Sequence, residues 1–385
     1  MRRLIFITTV PVTLSAFLLP FARHFRTQGI QIDAMAQGIS TSSECVEAFD
    51  RVWEVKWSRN PLAPRNFLQA PRVVREVVER EAYGLVHVHT PVAALVTRYA
   101  LRGLRNRGRL KVVYTAHGFH FYQGGNVVKN AIFLGLEKLA GYWTDYLIVI
   151  NREDERAAKR YRIVPPNRVR YMPGIGIDLS KYSPRKVQEA EVERVRAELG
   201  LKSNQPLFLI IAEFTTDKRH RDAVLAFACT SHPTAHLAFV GTGAQIAKIK
   251  TLVQKLGITD RVHFLGFRHD IPALIRASIT TVMPSIREGL PRSVMESLSL
   301  EVPVIGTDIR GTRDLLQGGC GLLVPVGDVA ALTRAMTWIL DHPEEARNMG
   351  KLGRQQMAAY DLRHIIAQHE ALYAEAMEKD HHTFS

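Results

Sequence analysis

Short apolar, β-branched runs recur along the chain, separated by longer stretches of helical periodicity. The runs fall at residues 4–8, 85–89, 112–116 and 147–150, then at 207–212, 237–240, 263–265, 280–283, 302–306 and 322–325. Strands that read as continuous apolar segments are covered on both faces, so this rhythm predicts parallel sheets with helices on each side. The alternation restarts after YMPGIGIDLSKYSP (171–184), where Gly and Pro cluster, and a charged helical pattern over 187–199 follows. The prediction is an α/β protein of two doubly wound, Rossmann-like domains, 1–170 and 171–362, with 363–385 as a crossing helix and tail that packs back on the first domain. Ligands of such sheets bind beyond the carboxyl ends of the strands, so two of these domains facing each other would form a cleft.

Length agrees with two domains, because 385 residues exceed what one ordinary core organises. The three cysteines, Cys45, Cys229 and Cys320, lie far apart without C-x-x-C spacing, which fits a reduced, cytosolic setting. The opening MRRLIFITTVPVTLSAFLLPF has the cations and apolar run of a signal peptide. Thr8, Thr9, Pro11, Thr13 and Ser15 interrupt it, however, and 4–8 reads as a first buried strand. Elsewhere no run approaches the ~20 apolar residues of a membrane span.

Charge is uneven. Residues 1–170 carry 26 Lys and Arg against 13 Asp and Glu, whereas 171–385 carry 25 against 24. Between Glu81 and Glu137 there is no acid, while Arg98, Arg102, Arg105, Arg107, Arg109, Lys111 and Lys129 lie there. An anionic partner is expected for this half. Nucleic acid is not, because no zinc-finger or RNP pattern accompanies the charge. An anionic membrane surface suits the run better, together with the apolar segment VVKNAIFLGLEKLAGYW (127–143), which would otherwise be a helix packed on the first sheet.

The chemistry concentrates in PSIREGLPRSVMESLSLEVPVIGT (284–307). Glu288 falls in the loop at the carboxyl end of the strand at 280–283, Pro291 suits the first position of a helix, and Glu296 lies inside that helix. At 1.5 Å rise per residue, Glu296 stands roughly 7–8 Å along the axis from Pro291, comparable to the span of a diphosphate. The backbone amides around Gly289, Leu290 and Arg292, with the positive end of the helix dipole, suit phosphate between the two carboxylates. Hydroxyls on either side of a diphosphate describe a nucleotide sugar; taken alone, the spacing of the two acids favours a first-turn helix acid and a solvated surface charge. Upstream, Lys218, Arg219 and Arg221 follow the strand at 207–212, where a cation can neutralise leaving phosphates. No D-x-D pair exists to hold a divalent metal, so Lys218 and the helix terminus are expected to carry that work, with no cofactor. In the first half, VVYTAHGFHFYQGG places His117 and His120 at the end of a strand. VGTGAQ (240–245) offers a G-x-G but lacks the third glycine of a dinucleotide fingerprint.

Taken together, these segments resemble the retaining glycosyltransferases of family 4, which have the GT-B fold, over nearly the whole chain. SIREGLPRSVMESLSLEVPVIGTDIRGTRDLL is similar to that family's E-x7-E segment, PGIGIDLSKYSP to its interdomain segment, LGFRHDIPALIRAS to its nucleotide-side loop, and GCGLLVPVGDVAAL to its post-site segment. YTAHGFHFY and the opening TTVPVTLSAFLLPFARHFRTQGIQI resemble the capsular and exopolysaccharide branch, which extends undecaprenyl-diphosphate-linked saccharides at the inner face of the membrane. The resemblance implies catalytic roles for His117, Glu288 and Lys218, and donor binding by Gly289, Leu290, Glu296, Phe267 and Arg219. Thr9, Val10 and His120 would lie on the acceptor side. It further implies a hexosyl- or N-acetylhexosaminyltransferase, with a UDP-linked donor, a lipid-linked acceptor and a cytoplasmic, peripheral location. Glu213 stands where many members carry arginine, leaving the phosphate clamp one cation short unless Arg219 or Arg221 substitutes. The alternative is a nucleotide-sugar epimerase of the same architecture, which would need neither acceptor nor membrane.

Overall fold

The computed structural model describes residues 3–58 and 63–378. The chain divides into two units, one running to Ile175 and resuming at Arg363, the other spanning Gly176–Leu362. The end of the tail expected at 363–385, from 379 onward, lies outside the described residues.

The first unit is built on seven strands: β1 (Arg3–Ile7), β2 (Gln31–Ala36), β3 (Arg51–Glu54), β4 (Leu85–His89), β5 (Lys111–Ala116), β6 (Tyr146–Val149) and β7 (Val169–Tyr171). Their order is β3-β2-β1-β4-β5-β6-β7, all parallel, with Ile5 opposite both Asp33 and Val86. Leu4 to Ile7 and all of β4 are buried, as continuous apolar runs covered on both faces must be. Because β7 completes this sheet, the first unit extends beyond the expected limit at residue 170.

The C-terminal helix Leu362–Glu378 belongs to the same unit. The Tyr373 hydroxyl is 2.5 Å from His87 Nδ1, His369 meets the Phe21 ring edge-on at 4.9 Å, and Glu375 accepts from Arg170 at 2.9 Å. The last helix of the chain therefore helps close the first core, as expected from the sequence.

In the second unit six parallel strands, β8 (Leu207–Ile211), β9 (His236–Val240), β10 (Val262–Phe264), β11 (Thr280–Met283), β12 (Val304–Thr307) and β13 (Gly321–Val324), lie in the order β10-β9-β8-β11-β12-β13. The order reverses direction between β8 and β11. A sheet of this kind leaves its ligand crevice at that switch point, where the two outgoing loops part.

Candidate functional site

The loops leaving β8 and β11 are clasped together. The Ile286 amide donates to the Asp217 carbonyl at 2.9 Å, and Lys218, ending a 3₁₀ turn after β8, donates its ammonium to Glu288 Oε1 at 2.5 Å. Both side chains are largely covered, with 25 % of Lys218 and 11 % of Glu288 exposed, so the pair sits in a wall rather than in open solvent. The loop after β12 presses on the same segment. Gly311 adopts φ +75°, and a Cβ there would lie 2.2 Å from the Gly289 carbonyl oxygen, so only glycine permits this approach. Arg310 donates to the Glu288 carbonyl at 3.3 Å from the same side. Gly289 and Leu290 thus belong to a loop fixed by its neighbours on both flanks.

Pro291 caps the following helix, Arg292–Ser299, from an extended conformation, one position earlier than the sequence suggests. Glu296 lies one turn inside and is buried, accepting from Arg292 Nε at 3.0 Å and bonding the Tyr182 hydroxyl. Burial pushes its carboxyl above the usual range, while Arg292 and Tyr182 pull the other way. A buried carboxylate with two donors already placed can accept further hydroxyl donors without rearrangement.

The remaining donor-side residues stand apart from this pair. Arg219, in the left-handed region at φ 47°, is turned onto Asp222, so its charge is already balanced locally. Phe267, after β10, is 73 % exposed with its ring edge against His269. The G-x-G at 241–243 serves packing: a Cβ at Gly241 would lie 2.1 Å from the Ala212 carbonyl oxygen, so the loop after β9 runs flush against the loop after β8.

In the first unit, His117 follows β5 and its Nε2 shares a hydrogen bond of 3.0 Å with Nδ1 of His89, at the end of β4. Burial, followed by the proximity of His369, pushes the His117 imidazole down to about 4, and His369 likewise sits at about 4 through burial. Burial likewise holds the His87 and His89 imidazoles well below the usual histidine range. His117 is therefore a neutral imidazole near pH 7, able to accept or donate one hydrogen bond but not to act as a cation. His120 lies against the Phe133 ring at 5.1 Å. Thr9 is tied to Thr90 by its amide at 3.0 Å and by its hydroxyl at 2.8 Å, and Val10 caps the helix Pro11–Phe17. Sequence reading identified His117 but not His89, Thr90 or Tyr373, whose partnerships form only when β1, β4, β5 and the last helix come together.

The acid-free run of cations is not a uniform basic face. Arg98 is 1 % exposed, bonded to Glu137 at 3.0 Å and lying 4.1 Å from the centre of the Tyr114 ring. Arg105 pairs with Asp145 at 3.0 Å, and Arg109 stands 3.8 Å from Glu79. Acids from other elements supply what the local sequence lacks.

A family model described as "Glycosyl transferases group 1" matches residues 191–356, and one described as "Glycosyltransferase Family 4" matches residues 15–181. The chain is 32% identical to EpsD of Bacillus subtilis (strain 168), assigned as a glycosyltransferase, over 98% of each. It is 28% identical to the UDP-Gal:α-D-GlcNAc-diphosphoundecaprenol α-1,3-galactosyltransferase of Escherichia coli, covering 69% of this chain and 68% of that one. Among solved structures, Anabaena Alr3699/HepE in complex with UDP superimposes with a TM-score of 0.80 at 19% identity, over 97% of this chain and all of the other. WaaG, a lipopolysaccharide-biosynthesis glycosyltransferase, gives 0.76 at 17% identity over 96% and 99%. The chain belongs to glycosyltransferase family 4, with the GT-B fold. It is a glycosyltransferase.

Proposed function

We propose that the protein transfers a hexose or N-acetylhexosamine from a UDP-linked donor to a saccharide carried on undecaprenyl diphosphate, with retention at the anomeric carbon, in polysaccharide assembly at the inner face of the membrane. The observation that carries this reading is the Lys218–Glu288 pair at the switch point, with buried Glu296 inside the next helix. Glu288 is assigned to the donor sugar's hydroxyls and Glu296 to the ribose. Lys218, with the Gly289 and Leu290 amides, holds the diphosphate, where a cation and a helix N-terminus offset developing charge. Phe267 and Arg219 are assigned to the nucleotide side, and Thr9, Val10 and His120 to the acceptor. His117, neutral, receives a sugar hydroxyl. The printed activity of the Escherichia coli relative, a UDP-sugar donor and a diphosphoundecaprenol acceptor, supports the choice of both substrates.

Retention without the two flanking carboxylates that glycosidases use calls for front-face attack assisted by the leaving phosphate, so catalysis is chiefly positional and electrostatic. The deciding experiment compares radiolabelled sugar transfer into an undecaprenyl-diphosphate saccharide with donor turnover when lipid is absent. Label in the lipid fraction supports the transferase reading. Isomerised donor with no labelled lipid would instead favour the epimerase. A thermal-shift panel of nucleotide sugars identifies the donor, since a ligand at 100 times its dissociation constant adds about 2.7 kcal/mol.

A further inference from the structure

His89, the last residue of β4, is 1 % exposed and has no role in the assigned chemistry. Its ring centre lies 4.1 Å from that of His87 and 5.9 Å from that of Phe6, and its Nδ1 stands 3.0 Å from Nε2 of His117. The other nitrogen of His89, Nε2, is buried and has no hydrogen-bond partner among the described residues. His87 cannot supply one, because the Tyr373 hydroxyl engages its Nδ1 at 2.5 Å and the Thr115 hydroxyl its Nε2 at 2.7 Å. His117 is the partly exposed member of the pair, and its Nδ1 makes no hydrogen bond among the described residues.

Burial keeps both rings neutral. A neutral imidazole has one N–H and one lone pair, so one of the two facing nitrogens donates and the other accepts. If His117 Nε2 donated, the His89 proton would have to sit on Nε2, a buried donor without an acceptor. If His89 Nδ1 donates, only a lone pair is left over at Nε2. Orphaned buried N–H groups are the rarer fault in folded proteins and under-used acceptors the commoner one, so the second arrangement is favoured.

We infer that His89 is the positioning residue for His117: its Nδ1–H, donated to His117 Nε2, fixes the His117 proton on Nδ1, so that His117 meets the donor sugar as a hydrogen-bond donor and not as a base. The inference rests on the donor-side reading of His117 and adds a direction to it. The sugar hydroxyl that His117 receives is held through its oxygen lone pair. A ring whose free nitrogen already carries the proton cannot also take up the one that an attacking hydroxyl loses. Tyr373 and Thr115 hold His87 from both sides, and His87 in turn backs the His89 ring, so the last helix of the chain steadies the proton position two rings away.

Imidazole nitrogen NMR of the full chain near neutral pH reads the tautomers directly, because protonated and unprotonated ring nitrogens resonate far apart. Spectra of His89→Asn and His117→Asn assign the two rings. Both are expected to carry the proton on Nδ1, and a His117 ring protonated on Nε2 would overturn the inference. Calorimetry with the UDP-sugar tests the consequence. His89→Asn places an amide N–H where the Nδ1–H stands and should keep affinity within about twofold. His89→Phe removes the donor and should lower affinity roughly three- to tenfold, the loss of one hydrogen bond, with affinity for free UDP unchanged. In a His117→Ala background, His89→Phe should cost less than about twofold more. A further three- to tenfold loss there, or equal losses in His89→Asn and His89→Phe, would show that His89 acts by packing alone and would overturn the inference. Thermal melting of each variant separates misfolding from recognition, and the wild-type spectrum decides the matter even where a variant does not fold. That spectrum needs no substrate. Both rings protonated on Nδ1 in a chain that binds no UDP-sugar would overturn the donor reading alone, and UDP-sugar binding with His117 protonated on Nε2 would overturn the tautomer alone.

Discussion

Lys218 and Glu288, 70 residues apart in the sequence, form an ion pair in which the ammonium donates to Oε1 at 2.5 Å. A carboxylate held this way keeps one oxygen facing a cation and the other available, so the two residues should act as one unit toward the donor. Lys218→Ala and Glu288→Ala should each lower kcat/KM by roughly 10- to 150-fold, the equivalent of about 1.5–3 kcal/mol for a hydrogen bond to a charged group. The double variant should lose little more than the worse single one. Losses that multiply would show that the residues act independently. Affinity for free UDP should fall with Lys218→Ala and stay near the parent value with Glu288→Ala.

Glu296 lies inside the helix with Arg292 and Tyr182 as fixed partners, so its loss should be felt by the nucleotide instead of the sugar. Glu296→Ala should weaken UDP and UDP-sugar binding alike by about 10- to 150-fold in calorimetry. Tyr182→Phe, which removes only a supporting hydrogen bond, should cost roughly fivefold. Unchanged UDP affinity in Glu296→Ala would detach this carboxylate from the ribose.

Transfer should survive EDTA, because the assigned counter-charge for the diphosphate is Lys218 and the helix terminus. Lys218→Ala should stay impaired to the same degree when Mg²⁺ is supplied. Restoration of wild-type turnover by Mg²⁺ or Mn²⁺ after chelation would assign the neutralising role to a metal.

The buried histidines couple the first unit to pH. The imidazoles of His117 and His369 lie near 4 in the folded protein, whereas an unfolded histidine titrates near 6.5. Between those values the unfolded chain binds the extra protons, so the stabilisation is intact above about pH 6.5 and is lost progressively as pH falls toward 4, at up to about 1.4 kcal/mol per pH unit for each group. Thermal melting of the first unit should therefore drop steeply from pH 6.5 to 4.5. His369→Phe should flatten that drop, and an identical slope in the variant would refute the assignment.

The strands that the sequence reveals are those whose apolar runs are unbroken, such as Leu85–His89 and Thr280–Met283. Gln31–Ala36 escapes notice because Gln31 and Asp33 interrupt it. In the fold Asp33 is buried and receives the Tyr83 hydroxyl, a partner 50 residues away. Arg51–Glu54, at an open edge, and the three-residue Val169–Tyr171 carry too little apolar pattern to register. The candidate site divides similarly. Glu288 and Glu296 are legible because one continuous loop-and-helix segment carries both. The contact of Glu288 with Lys218 depends on how two loops cross at the switch point, and Arg98 gives no sign of its burial because Glu137 reaches it from another helix. Charge counted along the chain misjudges charge counted in space.

The return of the helix Leu362–Glu378 to the first unit has a consequence for the order in which the protein is made. His87 and Arg170 leave the ribosome long before Tyr373 and Glu375, the side chains that complete their surroundings. At roughly 5–20 residues per second, the intervening stretch takes on the order of 10–40 s to synthesise. Throughout that interval the nascent first unit presents an open groove beside Phe21 and Phe25, while the later unit, uninterrupted in sequence, can fold first. Chaperone demand during synthesis should fall on the half of the molecule that begins earliest and finishes last.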